Sequence, residues 1–195
     1  MAAPTPVLFV PECFADTAVT LTLLRENSAS QQRLLHFVSH GQAISKVGKN
    51  MQQQPAQPGN TRRVVGMVDL DKNFYQHPHL RGFTRLLGGS LERKGHSHAI
   101  LQHVEYSSQY LIAINPACEV WLRERAAEIG KAPADFGLPN DFEGFKNFCK
   151  SEEAERDPRL RALLAAVAKA YHPAYRALAE FVAQIMDLKA KLPGT

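Results

Sequence analysis

The chain has 195 residues, of which 45% are hydrophobic and 22% charged, and its formal net charge is +4 at pH 7. This composition is typical of a globular protein whose core needs no disulfide or metal to hold it together. Three cysteines at wide spacing, Cys13, Cys118 and Cys149, exclude a complete disulfide framework and a Cys-x-x-Cys zinc site, and they indicate a reducing compartment. The mild positive charge is compatible with a polyanionic partner but identifies none.

The sequence contains no apolar stretch long enough to cross a membrane, because its longest apolar runs are broken by charges or prolines. Its first residues, MAAPTPVLFVPECF, lack the basic region of a secretory signal. We therefore expect a cytoplasmic protein with no membrane partner.

Short apolar runs alternate with helical patterns in the first two-thirds of the chain. The runs predict strands at 7–10, 34–38, 64–69, 99–101 and 110–114. Helical spacing, capping residues and prolines predict helices at 17–26, 43–53, 80–87, 117–129, 142–150, 158–170 and 174–189. Asp16 stands where the cap of the first helix is expected.

This order of elements predicts an α/β protein with a mostly parallel sheet of four to five strands, flanked by helices. After residue 140 no strand pattern remains, so we expect an α/β domain at 1–135 and a helical C-terminal extension at 136–195 packed on it. The extension is a candidate surface for homo-oligomerisation or for a protein partner.

Acidic residues follow two of the predicted strands. The first strand ends at Pro11 and Glu12, the strand at 64–69 ends in Asp69, and Asp71 follows two residues later. Since the carboxyl ends of parallel strands meet at one edge of a sheet, the three carboxylates are expected to converge. Crowded carboxylates are stabilised by a divalent cation, and oxygen ligands select Mg²⁺ or Mn²⁺. The alternative from the residues alone is that each acid caps a helix or lies in a solvated turn.

These segments resemble the Toprim family, which has a glutamate just after its first strand and an Asp-x-Asp after a later one. The matching segments are VLFVPECFADTAVTLTLL and VVGMVDLDKNF. In the nuclease branch, which includes the OLD-family nucleases, the first motif is commonly Glu-Gly-x-x-Asp. Glu12 and Asp16 keep that spacing, with Cys13 in the place of the glycine.

Two further segments extend the resemblance over roughly residues 7 to 130. NPACEVWL, which contains Glu119, is similar to the segment that begins the helix after the last strand in small Toprim-like proteins. HGQAISK, which contains Lys46, is similar to the glycine-and-lysine turn after their second strand.

The resemblance implies a metal-dependent nuclease, and small Toprim proteins often act in defence against phage or mobile DNA. It implies catalytic roles for Glu12, Asp69 and Asp71, with Mg²⁺ or Mn²⁺ held by these three acids and Asp16. Expected substrate contacts are Lys46, Lys49, Lys72 and Glu119. A non-catalytic Toprim-like module that binds a protein or nucleic acid is the alternative, and the sequence does not distinguish DNA from RNA.

Histidines recur between residues 77 and 103, including two His-x-His pairs. Such pairs bind zinc in some proteins, but no acid or cysteine accompanies them at ligand spacing. Solvated loop histidines are the favoured interpretation.

Overall fold

The structure, a computed structural model, describes residues 7–27, 43–54, 62–70, 74–92, 98–170 and 172–186. Its strands are β1 (Val7–Pro11), β2 (Arg63–Asp69), β3 (Phe83–Gly89), β4 (His98–His103) and β5 (Gln109–Ile114). Its helices are α1 (Phe14–Asn27), α2 (Ile44–Gln52), α3 (Cys118–Glu128), α4 (Phe142–Cys149), α5 (Pro158–Lys169) and α6 (Pro173–Ile185). Most predicted elements are confirmed, whereas the strand predicted at 34–38 lies outside the described residues.

The five strands form one sheet in the order β1-β2-β5-β4-β3. β1 pairs with β2 and β2 with β5 in parallel, while β5 with β4 and β4 with β3 are antiparallel. The sheet is therefore mixed, and the α/β class is confirmed while the expectation of a mostly parallel sheet is not. The parallel part is the part that matters for the acidic residues, because β1 and β2 both end at the same edge.

The helix predicted at 80–87 is wrong. A short 3₁₀ turn, His79–Gly82, leads into the edge strand β3, whose side chains are mostly exposed. Leu86 and Leu87 are about half exposed, so the leucines that produced the helical spacing do not face a common core. Pairing with β4 decides the conformation here, since tertiary context overrides a short local pattern.

Helices cover both faces of the sheet. Phe9, Val65 and Ile112 face a core that includes α1 and α3 to α6. Leu8, Val68 and Leu111 face a smaller core built with α2 and the 3₁₀ turns. This alternation along each strand is the period-two pattern of a sheet buried on both sides.

The C-terminal helices complete the larger core by covering α1. Every residue from 15 to 24 is buried, so α1 has no solvent face over that length. α5 and α6 both pack against α1, and α3 packs against α5. The expected packing of the helical extension is thus observed, while a domain boundary near residue 135 stays a prediction. In the described part of the chain, no helix combines the length and apolar composition that a membrane crossing requires.

Three histidines are structural residues in the described chain, which corrects the interpretation of solvated loop histidines. His79, His98 and His103 are each less than 10% exposed. The imidazoles of His79 and His103 stack at 4.7 Å, and His79 Nε2 lies 2.7 Å from Oε1 of Gln109. His79, His103 and Gln109 lie at the amino-terminal end of β5, at the opposite edge of the sheet from the ends of β1 and β2, whereas His98 lies opposite Ile114 at the carboxyl end of β5.

We expect Gly66→Ala to destabilise the protein, because a Cβ on Gly66 would lie 2.5 Å from Met51 Sδ and 2.7 Å from Leu111 Cδ1. Both neighbours are fully buried and cannot move away freely, so we expect a loss of about 1–3 kcal/mol in the free energy of unfolding, measured with urea. Gly88→Ala is the matched control, since its Cβ would meet only Ile100 Cδ1 at 3.7 Å. It should change stability by no more than about 0.5 kcal/mol. Equal losses in the two variants would contradict the packing of α2 on β2.

Candidate metal-binding site

The turn after β1 brings Glu12 to the end of β2. The backbone N–H of Glu12 donates to Met67 O at 2.8 Å, which extends the parallel ladder by one residue. The Glu12 side chain then reaches across the edge, where its Oε2 accepts the Asp69 backbone N–H at 3.1 Å. The predicted meeting of these two acids at one edge of the sheet is thus observed.

The start of α3 holds Asp69 from the other side. Leu70 N donates to Ile114 O at 2.6 Å, so the ladder between β2 and β5 continues to the site. Asp69 Oδ1 accepts the backbone N–H of Cys118, the first residue of α3, at 2.8 Å. A carboxylate at a helix N-terminus is stabilised by the unpaired N–H groups there.

Asp16 lies inside the first turn of α1 and is not its cap, because the helix begins at Phe14 and not at residue 17. Cys13 occupies the capping position. Its N–H donates to Asp16 Oδ2 at 3.0 Å, and its Sγ lies 3.4 Å from Asp16 N as the acceptor. The two residues make the reciprocal pair of a capping box, with a thiol in place of the usual hydroxyl.

The second carboxyl oxygen of Asp16 makes no hydrogen bond to the part of the chain that the structure describes. Asp16 is fully buried, and its Oδ1 is a buried polar atom, although the Cys118 side chain is close enough to the Asp16 carboxyl group to lower its pKa. An unsatisfied buried carboxyl oxygen is energetically costly and rare. We therefore expect this oxygen to bind a proton or a cation.

The carboxyl groups interact electrostatically. Burial, followed by the charges of Asp16 and Glu12, raises the pKa of Asp69 to about 9. Burial and the nearby Cys13 raise the pKa of Asp16 well above its ordinary value. Asp69 therefore retains its proton at neutral pH unless a positive charge replaces it, and burial favours the protonated form of Asp16 in the same direction. A bound divalent cation would supply such a positive charge.

Glu119 adds a fourth carboxyl group in the first turn of α3. Its side chain is 7% exposed, and its charge also raises the pKa of Asp69. The sequence predicted that Glu119 contacts the substrate. Because its side chain is buried, Glu119 is better described as part of the acidic cluster. We define the acidic cluster as Glu12, Asp16, Asp69 and Glu119.

Carboxylate oxygens are the ligands that a hard cation prefers, and Glu12, Asp16 and Asp69 bring them from three segments. Within the described ranges, which omit residues 71–73, no three His, Cys, Asp or Glu side chains are arranged to hold a metal ion. Asp71 and Lys72, the remaining predicted residues of this loop, fall in that gap. Binding of Mg²⁺ or Mn²⁺ by Glu12, Asp16, Asp69 and Asp71 together therefore stays a prediction.

Lys46 and Lys49 lie on α2, on the other face of the sheet from α1, and both are exposed. Gln109, at the start of β5, donates to the carbonyl oxygens of Met51 and Gln54, which places the C-terminal end of α2 at the far edge of the sheet. The helix therefore runs with its first turn, including Lys46, toward the edge that carries the acids.

Sequence reasoning missed the cysteines. Cys13, Cys118 and Cys149 come from the turn after β1, the first residue of α3 and the last residue of α4, and all three contact the same core. A hydrogen bond from the Cys118 thiol lowers the pKa of Cys13, and the same contact raises the pKa of Cys118. No spacing signal reveals this group, because only the topology brings positions so far apart together.

Asp69→Asn should stabilise the metal-free protein at alkaline pH. The pKa of Asp69 is raised by folding, so its stabilising contribution is complete at low pH and is lost as the pH rises through about 9. In chelator, the wild type should lose stability between about pH 5 and pH 9, and the variant should end about 1–3 kcal/mol more stable than the wild type.

Urea unfolding at several pH values measures this difference. Asp141→Asn is the matched control, since Asp141 is an exposed acid that caps α4. It should follow the pH dependence of the wild type. Parallel curves for the wild type and Asp69→Asn would show that Asp69 is not an uncompensated buried carboxyl group.

Comparison of the chain with protein-family models, with curated proteins and with solved structures finds no match. The resemblance to Toprim proteins therefore depends on the four sequence segments, and the function is argued from the site itself.

Proposed function

We propose that this protein is a Mg²⁺- or Mn²⁺-dependent nuclease that hydrolyses phosphodiester bonds in nucleic acid. One observation carries the proposal: among the described residues the buried Asp16 Oδ1 has no partner, and it lies near carboxyl groups from the turn after β1, from β2 and from α3. An acidic cluster alone is compatible with simple caps and turns. A buried oxygen without a donor in the described chain binds either a proton or a cation, and we propose that a cation fills this role.

The backbone pre-orients the carboxylates. Each of Glu12, Asp16 and Asp69 accepts one backbone N–H, at 3.1, 3.0 and 2.8 Å respectively. Hydrogen bonds of this kind to metal-ligating carboxylates fix the orientation of the ligating oxygens and raise the affinity of a site. We include Asp71 as a fourth ligand because it follows the strand that ends in Asp69, as the resemblance implies.

We assign the residues two roles. Asp16, which is fully buried, and Asp69, which is half-buried, serve to hold the cation. Glu12 is half-buried, so it reaches both the cluster and the solvent, and we assign it the proton transfer to or from an attacking water. When bound, a divalent cation polarises the phosphoryl oxygens and lowers the pKa of a coordinated water.

The substrate must bring negative charge to an edge that is itself acidic. Lys46 and Lys49 on α2, together with Lys72, are the proposed contacts to the phosphate chain, as basic groups that offset this repulsion. A role in defence against phage or mobile DNA follows from the family resemblance alone and belongs to the same proposal.

The second candidate function is a non-catalytic module that binds nucleic acid or a protein, with the C-terminal helices as a surface for a partner or a second copy. One observation favours it: the capping box of Cys13 and Asp16 gives this acid a structural task that needs no metal. The two functions differ in whether substitution of the acids changes chemistry or stability alone.

Glu12→Gln and Asp69→Asn should abolish most nuclease activity while the protein remains folded. Both amides keep an oxygen that accepts the same backbone N–H and remove the charge that binds a cation. With Mg²⁺ or Mn²⁺ and mixed DNA and RNA substrates, cleavage by each variant should fall by about 100-fold or more.

Glu124→Gln is the matched control, because Glu124 lies on α3 as an exposed acid outside the cluster. It should retain the wild-type rate. Isothermal titration should show metal binding by the wild type that Asp69→Asn loses. Wild-type protein that neither binds the metals nor cleaves either substrate would favour the binding module.

Lys46→Ala and Lys49→Ala should weaken binding of nucleic acid similarly for all sequences. Each phosphate contact that is lost removes one released counterion, so the slope of log affinity against log salt should become shallower by about one per contact. Fluorescence anisotropy in Ca²⁺ or chelator measures binding without cleavage. Lys169→Ala, at the end of α5 and exposed, is the control and should leave the slope unchanged.

A further inference from the structure

The side chain of His103 holds the turn between β4 and β5. His103 Nδ1 accepts the backbone N–H of Glu105 at 3.1 Å and that of Tyr106 at 3.2 Å. The imidazole thus performs the task of a capping side chain, which more often falls to an asparagine, aspartate or serine oxygen. A ring nitrogen can accept these hydrogen bonds only while it carries no proton.

The ring of His103 is closely packed by its neighbours. It stacks on the imidazole of His79 with the ring centroids 4.7 Å apart, and it meets the rings of Phe83 and Tyr106 edge to face at 4.9 and 4.7 Å. His103 Nε2 lies so close to Gly82 that a Cβ at Gly82 would be only 2.1 Å away. The side chain is 5% exposed, so these contacts hinder a flip of the ring that would exchange its two nitrogens.

In the described chain, the titratable and charged groups that face His103 come from two segments. His79 stacks on it from the 3₁₀ turn His79–Gly82, and Glu105 and Tyr106 belong to the turn that it caps. β3 contributes the neutral ring of Phe83. Burial, followed by the charge of His79, lowers the pKa of His103 below its ordinary value, while the charge of Glu105 and a backbone hydrogen bond of His79 act in the opposite direction.

His79 is itself fixed in place by Gln109. The side-chain nitrogen of Gln109 donates to Met51 O and to Gln54 O, each at 3.0 Å. Its Oε1 is therefore the acceptor in the 2.7 Å contact with His79 Nε2, and that nitrogen of His79 carries the proton. This hydrogen bond holds the ring of His79 against His103.

We propose that protonation of His103 at mildly acidic pH releases the turn between β4 and β5 from the 3₁₀ turn His79–Gly82, so that this end of the sheet is an acid-sensitive switch. A proton on Nδ1 replaces an acceptor with a donor, and the N–H groups of Glu105 and Tyr106 both lose their partner. The new imidazolium also lies against the imidazole of His79. Movement of the turn away from His79 relieves both conflicts, and it breaks the hydrogen bond from Val104 N to Gly82 O at 2.9 Å.

The direction of the switch follows from the lowered pKa of His103. A histidine whose pKa is lowered by folding stabilises the folded turn fully above its ordinary value of about 6.5, and this contribution is lost as the pH falls. Asp69 has the opposite dependence, because the raised pKa of its carboxyl group makes its contribution complete at low pH. Global unfolding therefore combines the two effects, whereas a local measurement isolates the turn.

Amide hydrogen exchange followed by NMR on the full chain tests the switch. The protection factors of the Glu105 and Tyr106 amides should fall by about tenfold or more between about pH 7.5 and about pH 5, because both lose their acceptor. The ring protons of His103 should titrate over the same range. The Leu138 amide is the internal control, since it donates to Pro133 O at 3.1 Å and a carbonyl oxygen does not titrate. Unchanged protection of Glu105 and Tyr106 at the lower pH would overturn the proposal.

His103→Asn separates protonation from capping. The asparagine Oδ1 takes the position of Nδ1, accepts the same N–H groups and does not titrate, so their protection factors should be equal at the two pH values. His172→Asn is the matched control, because His172 Nδ1 accepts the Ala174 N–H at 3.2 Å in another part of the fold, and the turn should respond as in the wild type. Protection that still falls with pH in His103→Asn would overturn the proposal. In the wild type, midpoints of ring titration and amide exposure that differ by more than about one pH unit would do the same.

Discussion

The carboxyl groups of Asp16 and Asp69 constrain the architecture at this edge of the sheet. The charge of Asp16 raises the pKa of Asp69, and backbone N–H groups from the turn after β1 and from the start of α3 hold the two groups in place. The same hydrogen bonds fix how α1 leaves β1 and how α3 returns over β2. The local fold and the acidic cluster therefore depend on the same hydrogen bonds. These bonds hold the carboxyl groups in place and also fix the turns that carry them.

The C-terminal helices raise the energetic cost of placing these carboxyl groups close together. They cover α1 so fully that residues 15–24 are buried, Asp16 among them. Removing water strengthens the repulsion between nearby carboxylates and increases the cost of each unpaired polar atom. A helical extension that has no acidic residue in the cluster therefore influences the chemistry, because it sets the dielectric surroundings of Asp16. This dependence argues against treating residues 136–195 as an independent attachment.

The sequence predicted those features that are encoded locally. The apolar runs of β1 and β2 are continuous because both faces of these strands are buried, and the acids at their ends follow from parallel pairing. The start of α1 was misplaced because an acid at the third helical position and an acid at the cap look alike in sequence. β3 was mistaken for a helix because its leucines are exposed and carry no strand alternation. The burial of Glu119 and the meeting of Cys13 with Cys118 depend on the order β1-β2-β5, which no local pattern contains.

Cys13 connects the start of α1 to the acidic cluster. Its Sγ accepts the Asp16 N–H and completes the capping box, a task that serine performs in many helices. A glycine at this position would keep the backbone N–H that binds Asp16 Oδ2, but it would leave the Asp16 N–H without its side-chain acceptor. The side chain at position 13 therefore contributes to the start of the helix, while its backbone contributes to the orientation of the acid.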